Sequence, residues 1–155
     1  MTSLCCEVLK RLEGKTLVTA ESITGGGIGA ALTAIAGSSA VYKGGVISYC
    51  DWVKEHILNV PSDILQSYGA VSWPVAGYMA GGVRKLLNAD YAVSVTGLAG
   101  PGGDDFGNAV GTVFIGFDSK ESSTVEKYVF SGDRESIRRQ TVKTALEIIL
   151  REVSK

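Results

Sequence analysis

A serine, a tyrosine and a lysine within the first 54 residues could together carry out nucleophilic catalysis. Ser22 lies in the segment Thr19–Gly27, where a short apolar strand pattern gives way to three consecutive glycines. A serine at a helix N-terminus can attack a carbonyl carbon while free backbone N–H groups stabilise the oxyanion. The same serine could instead cap the helix or belong to a nucleotide-binding turn. Its position alone leaves these three alternatives open.

A nucleophilic serine needs a base, and the usual histidine is scarce in this chain. His56 is the only one, and it falls within a predicted helix, where an exposed or half-buried side chain is the commoner role. A lysine whose pKa is lowered by burial can act as the base instead. Tyr49, at the end of the second predicted strand, and Lys54, in the first turn of the next helix, are the best pair. If the first two strands are neighbours, both side chains reach the edge where Ser22 lies.

A second group of glycines predicts a binding loop after the third strand. The segment Thr96–Asp105 contains Gly97, Gly100, Gly102 and Gly103. Successive N–H groups in such a loop can bind a phosphate or a carboxylate, and open α/β sheets bind ligands at the carboxyl ends of their strands. Cationic anchors could come from the last helix, although solvated helix charges are commoner: Arg134, Arg138 and Arg139.

A competing interpretation comes from the glycines that follow Ser22. The run from Gly25 to Ala30 matches the dinucleotide-binding fingerprint, and Asp51 follows at about the spacing that the fingerprint uses. Against this, Glu21–Thr24 separates the strand from the glycines, and the chain lacks a second βαβαβ half. A dinucleotide-dependent oxidoreductase is therefore a weaker hypothesis.

Hydrophobic periodicity and turn residues place these candidates on regular elements. Helices are predicted over residues 3–13, 24–36, 51–58, 61–67, 72–87 and 134–153, with Asp51 and Ser72 as N-caps. Strands are predicted over residues 15–21, 45–49, 89–96, 110–117 and 124–130. Parallel βα units come first, a hairpin follows, and helices lie at both ends. The pattern predicts a three-layer α/β/α fold with a mixed sheet, in a single domain over residues 1–155.

Composition excludes several other classes of protein. Apolar residues make up 45% of the 155 residues, which argues against disorder, and the net charge of −1 without a basic block argues against nucleic-acid binding. No apolar run reaches the length of a membrane span, and the N-terminus lacks a signal-peptide pattern, so we expect a cytoplasmic protein. Three cysteines do not make a disulfide framework, and one histidine without a Cys-x-x-Cys pair argues against a zinc site.

Several blocks taken together resemble one family. They follow one another along nearly the whole chain: Ala20-Glu21-Ser22-Ile23-Thr24-Gly25-Gly26, Gly37-Ser38-Ser39, Gly44-Gly45-Val46-Ile47-Ser48-Tyr49 with Lys54, Tyr68-Gly69-Ala70-Val71-Ser72, Thr96-Gly97-Leu98-Ala99-Gly100-Pro101-Gly102-Gly103, Val110-Gly111-Thr112-Val113 and Gly132-Asp133-Arg134. This set resembles the CinA C-terminal domain family, the nicotinamide-nucleotide amidohydrolases.

The resemblance implies hydrolysis of the carboxamide of nicotinamide mononucleotide to nicotinate mononucleotide and ammonia. It implies Ser22 as the nucleophile, Tyr49 and Lys54 as acid/base partners, and neither a metal nor another cofactor. Family members tend to be oligomeric, so we expect a homo-oligomer, and this chain looks like the free-standing form of the domain. A pyridine nucleotide is then the expected small-molecule partner. The alternative is a non-catalytic nucleotide-binding or regulatory module of the same fold.

On this hypothesis, two glycine-rich segments hold the substrate. Backbone N–H groups at Thr24, Gly25 and Gly26 would stabilise the oxyanion. The phosphoribosyl part would lie against the second loop and the last helix, at Thr96, Gly97, Gly100, Gly102, Gly103 and Arg134. Two blocks depart from the family pattern. The tyrosine is followed by Cys50-Asp51-Trp52-Val53-Lys54 where the family usually has Ser-Asn-x-x-Lys, and Asn108-Ala109 replaces Lys-Pro before Val110.

Overall fold

The computed structural model describes all 155 residues, and its strands form one mixed five-stranded sheet. The strands are β1 (Leu17–Glu21), β2 (Tyr42–Ile47), β3 (Tyr91–Gly97), β4 (Thr112–Ser119) and β5 (Ser123–Val129). Their order across the sheet is β2-β1-β3-β4-β5. β1 runs parallel to both β2 and β3, whereas β4 and β5 form an antiparallel hairpin beside β3. The first two strands are therefore neighbours, and the predicted mixed sheet is confirmed.

Helices cover both faces of the sheet. They are α1 (Thr2–Arg11), α2 (Gly27–Thr33), α3 (Asp51–His56), α4 (Ser62–Tyr68), α5 (Trp73–Leu86) and α6 (Arg134–Val153), with a short 3₁₀ turn at Ser38–Ala40. α1, α2 and α6 pack together on one face, while α5 packs against β1, β3, β4 and β5 on the other. This arrangement confirms the predicted three-layer α/β/α fold. No helix combines the length and the hydropathy that a membrane-spanning segment requires.

Alternation along the strands divides the core into two layers, because successive strand side chains point to opposite faces. Leu17 and Val93 pack with the apolar sides of α1, α2 and α6. Their neighbours Val18 and Ala92 pack with α4 and α5. All eight residues of β4 are buried, which is expected of a strand with helices on both sides.

Three local details differ from the sequence prediction. Helix α2 begins at Gly27 and not at residue 24, because Gly25 and Gly26 have φ of 58° and 101°, outside the helical region. Ser72 is the N-cap residue of α5, but its hydroxyl donates to the Gly69 carbonyl at 2.8 Å and caps no helix N–H. Asp51 lies in the first turn of α3, whose N-cap is Cys50.

We expect alanine substitutions at two glycines of α5 to have different effects on the free energy of unfolding. A Cβ on Gly82 would lie 2.1 Å from the Leu58 carbonyl oxygen, whereas one on Gly77 would make an ordinary 3.6 Å contact with Val125. Gly82→Ala should lower the free energy of unfolding by about 2 kcal/mol, the usual scale of overpacking. Gly77→Ala should leave it unchanged or raise it by up to about 1 kcal/mol through helix propensity.

Urea denaturation of the two variants beside wild type measures both changes. Equal stabilities for Gly82→Ala and Gly77→Ala would contradict the close packing of α5 on the segment that follows α3.

Candidate active site

The structure brings Ser22 and Lys54 together at the carboxyl edge of the parallel strands. Ser22 directly follows β1, and Ser48 directly follows the neighbouring β2. The Lys54 Nζ donates to Ser22 Oγ at 2.9 Å and to the Ser48 carbonyl at 2.6 Å. Lys54 is 1% exposed and Ser22 is 8% exposed. A lysine amine thus contacts the serine hydroxyl in a site that excludes most of the solvent.

Burial changes the acid–base behaviour of this lysine. Desolvation lowers the pKa of Lys54 below its ordinary value of 10.5, because the charged ammonium loses its hydration. The negative charge of Asp51 and, to a smaller extent, Cys50 act in the opposite direction and raise the pKa, but burial outweighs them. No carboxylate lies within ion-pair distance of the lysine. A larger share of Lys54 is therefore neutral near physiological pH than for an exposed lysine, as a general base requires.

Glu21 caps the first turn of α2, a role that the sequence left open for Ser22. Its carboxylate accepts from the backbone N–H groups of Ile28 at 2.7 Å and Gly29 at 3.0 Å. It also accepts from the Thr24 hydroxyl at 2.7 Å and is only 2% exposed. Ser22 is consequently free of capping. The sequence reasoning missed this role of Glu21, although a carboxylate between a strand and a glycine-rich helix start is a signal for it.

Unpaired backbone donors follow the serine along the chain. The N–H groups of Ile23, Thr24 and Gly26 donate to no acceptor in the protein, whereas Gly25 N–H donates to the Ser22 carbonyl. Arg138, from α6, donates to the carbonyls of Ile23 at 3.1 Å and Thr24 at 3.0 Å. A trans peptide directs its C=O and N–H to opposite sides, so Arg138 also sets the direction of the Thr24 N–H. The sequence named Arg138 as a possible anion anchor, whereas here its guanidinium binds backbone.

Tyr49 and Arg134 lie at the mouth of the site. Tyr49 is 61% exposed, and its hydroxyl accepts from Arg134 Nη2 at 3.0 Å. The Arg134 Nη1 donates to the Gly100 carbonyl at 2.7 Å. Tyr49 follows β2 and Gly100 follows β3, so this connection passes across the end of β1, where Ser22 lies. Tyr49 makes no hydrogen bond with Ser22 or Lys54, and its acid/base role stays a prediction.

The second glycine loop divides into a structural part and an open part. The buried Thr96 donates its hydroxyl to the Ala70 carbonyl at 2.8 Å, and a Cβ on Gly97 would lie 2.7 Å from Val113. These two residues therefore pack the base of the loop. Gly102 has no atom within 4 Å of its Cβ position, and Gly103 has one at 3.8 Å.

Asp104 and Asn108 fix the far end of this loop. The Asp104 carboxylate accepts from the backbone N–H groups of Phe106 and Asn108 and from the Asn108 amide. Desolvation raises the pKa of Asp104, but these hydrogen bonds together outweigh it and lower the pKa. The N–H groups of Gly100, Gly102 and Gly103 remain without a protein acceptor, as a phosphate cradle requires.

The dinucleotide hypothesis loses its main support at α2. Its pyrophosphate site would need the N–H groups at the helix start, and Glu21 already occupies those of Ile28 and Gly29. No group of three or more His, Cys, Asp or Glu side chains is arranged to hold a metal ion.

The lowered pKa of Lys54 predicts a pH-dependent contribution to stability. Since the folded pKa lies below the unfolded value, the unfolded chain binds more protons between the two. The contribution of Lys54 to stability therefore becomes more favourable as pH rises through that window. We expect the unfolding free energy of wild type, relative to Lys54→Met, to increase from pH 7 to pH 10.

Urea denaturation at several pH values measures this difference. Lys43→Met, which removes an exposed lysine from β2, corrects for the loss of one positive charge. A difference between wild type and Lys54→Met that does not change with pH would contradict a lowered pKa.

Comparison with known proteins agrees with this architecture. In a search of solved structures, the chain superposes on the competence damage-inducible protein A from Klebsiella pneumoniae with a TM-score of 0.96 and 34% identity, covering 99% of this chain and 96% of that one. It superposes on the competence/damage inducible protein CihA from Agrobacterium tumefaciens with a TM-score of 0.94 and 37% identity, covering 99% and 95%.

The sequence comparisons point the same way. A CinA-like protein from Parasynechococcus marenigrum is 43% identical over 155 residues, which are 97% of this chain and 37% of the relative. The chain thus spans about a third of the length of the curated relatives that it matches. The family model for the CinA C-terminal domain matches residues 2–153. This chain therefore belongs to the CinA C-terminal domain family.

Proposed function

We propose that this chain is an amidohydrolase that converts nicotinamide mononucleotide to nicotinate mononucleotide and ammonia. The observation that carries the proposal is the 2.9 Å hydrogen bond between Lys54 Nζ and Ser22 Oγ, made by a lysine that is 1% exposed. This pair supplies an activated nucleophile and a base without a histidine or a metal. The choice of substrate follows from the family resemblance.

In the first half of the reaction, neutral Lys54 removes the proton of the Ser22 hydroxyl. The Ser22 Oγ attacks the carboxamide carbon and forms a tetrahedral intermediate. Its oxyanion accepts hydrogen bonds from the free N–H groups of the turn, Thr24 and Gly26 among them. Each such donor contributes on the order of 3 kcal/mol to transition-state stabilisation. The Lys54 ammonium then protonates the amide nitrogen, the C–N bond breaks, and ammonia leaves.

In the second half, water replaces ammonia. Lys54, neutral again, takes a proton from a water molecule as the water oxygen attacks the acyl carbon. The bond from the acyl carbon to Ser22 Oγ breaks, and the serine recovers its proton from Lys54. The carboxylate product leaves, so one amide and one water give one acid and one ammonia.

The phosphoribosyl part of the substrate would occupy the mouth. Arg134 forms no ion pair, since its guanidinium donates to a phenol and a carbonyl, both neutral acceptors. It can therefore transfer a hydrogen bond to a phosphate, which accepts more strongly. The free N–H groups of Gly102 and Gly103, which follow Gly100 in the same loop, offer further donors. In this proposal Tyr49, whose hydroxyl accepts from Arg134, contacts the pyridine ring and assists proton transfer.

Substitution of the pair tests the mechanism. Ser22→Ala and Lys54→Met should each lower ammonia release from nicotinamide mononucleotide by at least about a thousandfold, because the two residues act as one unit. The double variant should be no worse than either single one. Lys43→Met, at an exposed lysine, is the control and should keep wild-type activity.

Two outcomes would decide against this proposal. Full activity of Ser22→Ala would refute the nucleophile assignment. A wild type that binds pyridine nucleotides tightly and releases no ammonia would favour the non-catalytic, regulatory module.

The negative charge of Asp51, near Lys54, should affect the pH dependence of kcat/KM for ammonia release. The negative charge of Asp51 raises the pKa of Lys54, so Asp51→Asn should lower it. Because the neutral amine is the active base, the acidic limb of kcat/KM should move to lower pH in Asp51→Asn. The pH profile of ammonia release measures this shift, with Asp63→Asn, in the first turn of α4, as the control. A shift to higher pH would show that Lys54 is not the titrating base.

A further inference from the structure

Glu21 is the one buried carboxylate in contact with residues 22–26, the turn between β1 and α2 that carries Ser22. It makes no ion pair. Four donors hold it: Thr19 Oγ1 at 3.0 Å, Thr24 Oγ1 at 2.7 Å, and the N–H groups of Ile28 and Gly29. Both carboxylate oxygens are engaged, each by one hydroxyl and one backbone N–H. The side chain therefore has a single orientation, fixed between β1 and α2.

Two glycines make room for this network. A Cβ on Gly29 would lie 2.7 Å from the Tyr42 hydroxyl, and one on Gly45 would lie 2.3 Å from Thr19 Oγ1. The Tyr42 hydroxyl in turn hydrogen-bonds Thr19 Oγ1 at 2.7 Å. The two glycines therefore leave room for Thr19 and Tyr42 beside Glu21. This indicates that the carboxylate is a structural part of the turn.

Which side chain satisfies the N–H groups at the N-terminus of α2 decides what the Ser22 hydroxyl can bind. Serine and threonine hydroxyls are strong caps, and Ser22 and Thr24 both lie shortly before α2. In the structure neither hydroxyl caps this helix, because Glu21 accepts from the Ile28 and Gly29 N–H groups of its first turn. The Ser22 hydroxyl is left to Lys54, and the Thr24 hydroxyl is drawn to the carboxylate.

The same residue also links the serine to the lysine through backbone. The Glu21 carbonyl accepts from Ser48 N–H at 3.0 Å, and the Ser48 carbonyl accepts from Lys54 Nζ. We infer that Glu21 is a positioning residue for catalysis: by capping α2 itself it releases Ser22 for attack and keeps the turn open, with its oxyanion donors free. This inference rests on the proposed role of Ser22 as the nucleophile.

The test measures the reactivity of Ser22 with phenylmethanesulfonyl fluoride, which needs no knowledge of the substrate. The Ser22 oxygen forms a bond to sulfur, the S–F bond breaks, fluoride leaves, and Lys54 takes the hydroxyl proton. Intact-mass spectrometry gives the rate, and peptide mapping identifies the labelled residue. Glu21→Gln keeps the size of the side chain but replaces one acceptor oxygen with a donor.

We expect Glu21→Gln to be labelled about tenfold to a hundredfold more slowly than wild type, because a small displacement of the nucleophile has effects of this size. With nicotinamide mononucleotide, kcat should fall by a similar factor while KM changes less than about twofold. Glu152→Gln is the matched control, since Glu152 is also a buried carboxylate, at the opposite end of α6 from Arg138. It should be labelled at the wild-type rate.

A wild-type labelling rate in Glu21→Gln, together with a lower urea midpoint, would overturn the inference and leave Glu21 a purely structural role. If Glu21→Gln does not fold, Thr19→Val takes its place: it removes one hydroxyl donor, slower labelling supports the inference, and an unchanged rate overturns it. A wild type that is not labelled at Ser22 would refute the nucleophile and the inference together. Labelling that depends on Glu21 without ammonia release would support the inference and refute only the proposed substrate.

Discussion

The hydrogen bond from Lys54 to Ser22 is the contact on which the rest of the site depends. It requires a cation-forming side chain to lie almost wholly out of water, which is costly unless its donors are used. The serine hydroxyl and the Ser48 carbonyl use two of them. Both acceptors belong to segments that leave adjacent parallel strands, so β1 and β2 must be paired in register before the lysine has a partner. The sheet order is therefore also a condition for the chemistry.

Side chains of opposite charge hold the turn between β1 and α2 from two directions. The carboxylate of Glu21 binds N–H groups, and the guanidinium of Arg138 binds carbonyls. Neither side chain forms an ion pair: backbone carbonyls accept from Arg138, while two backbone N–H groups and two threonine hydroxyls donate to Glu21. Such hydrogen bonds to charged groups are stronger than neutral ones. They fix a five-residue turn that contains two left-handed glycines and would otherwise have several accessible conformations.

Periodicity was enough to predict the layers and the mixed sheet, whereas the neighbouring placement of the first two strands was only a condition that the structure meets. α6 in particular has the predicted bounds, because its apolar residues recur at helical spacing over twenty residues. The contact of Ser22 with Lys54 followed from residue types on condition that β1 and β2 are neighbours, and its choice over the other roles of Ser22 followed from the family resemblance. Glu21 and Arg138 did not, because their hydrogen bonds to backbone depend on the path of the turn, which side-chain patterns do not encode. The same limit applies to Thr96, where a buried hydroxyl bonds a carbonyl from a distant loop.

The hydrogen bonds from Arg138 to the Ile23 and Thr24 carbonyls join the candidate active site to α6, the most C-terminal helix of the chain. Arg134, one helical turn earlier in α6, likewise joins this helix to Tyr49 and to the Gly100 carbonyl at the mouth of the site. A ribosome synthesises α6 after every other element described here, so β1, β2 and the glycine loops emerge before the side chains that fix them. The hydrogen bonds of Arg138 to the Ile23 and Thr24 carbonyls form only when α6 docks, so the turn that carries Ser22 is completed last.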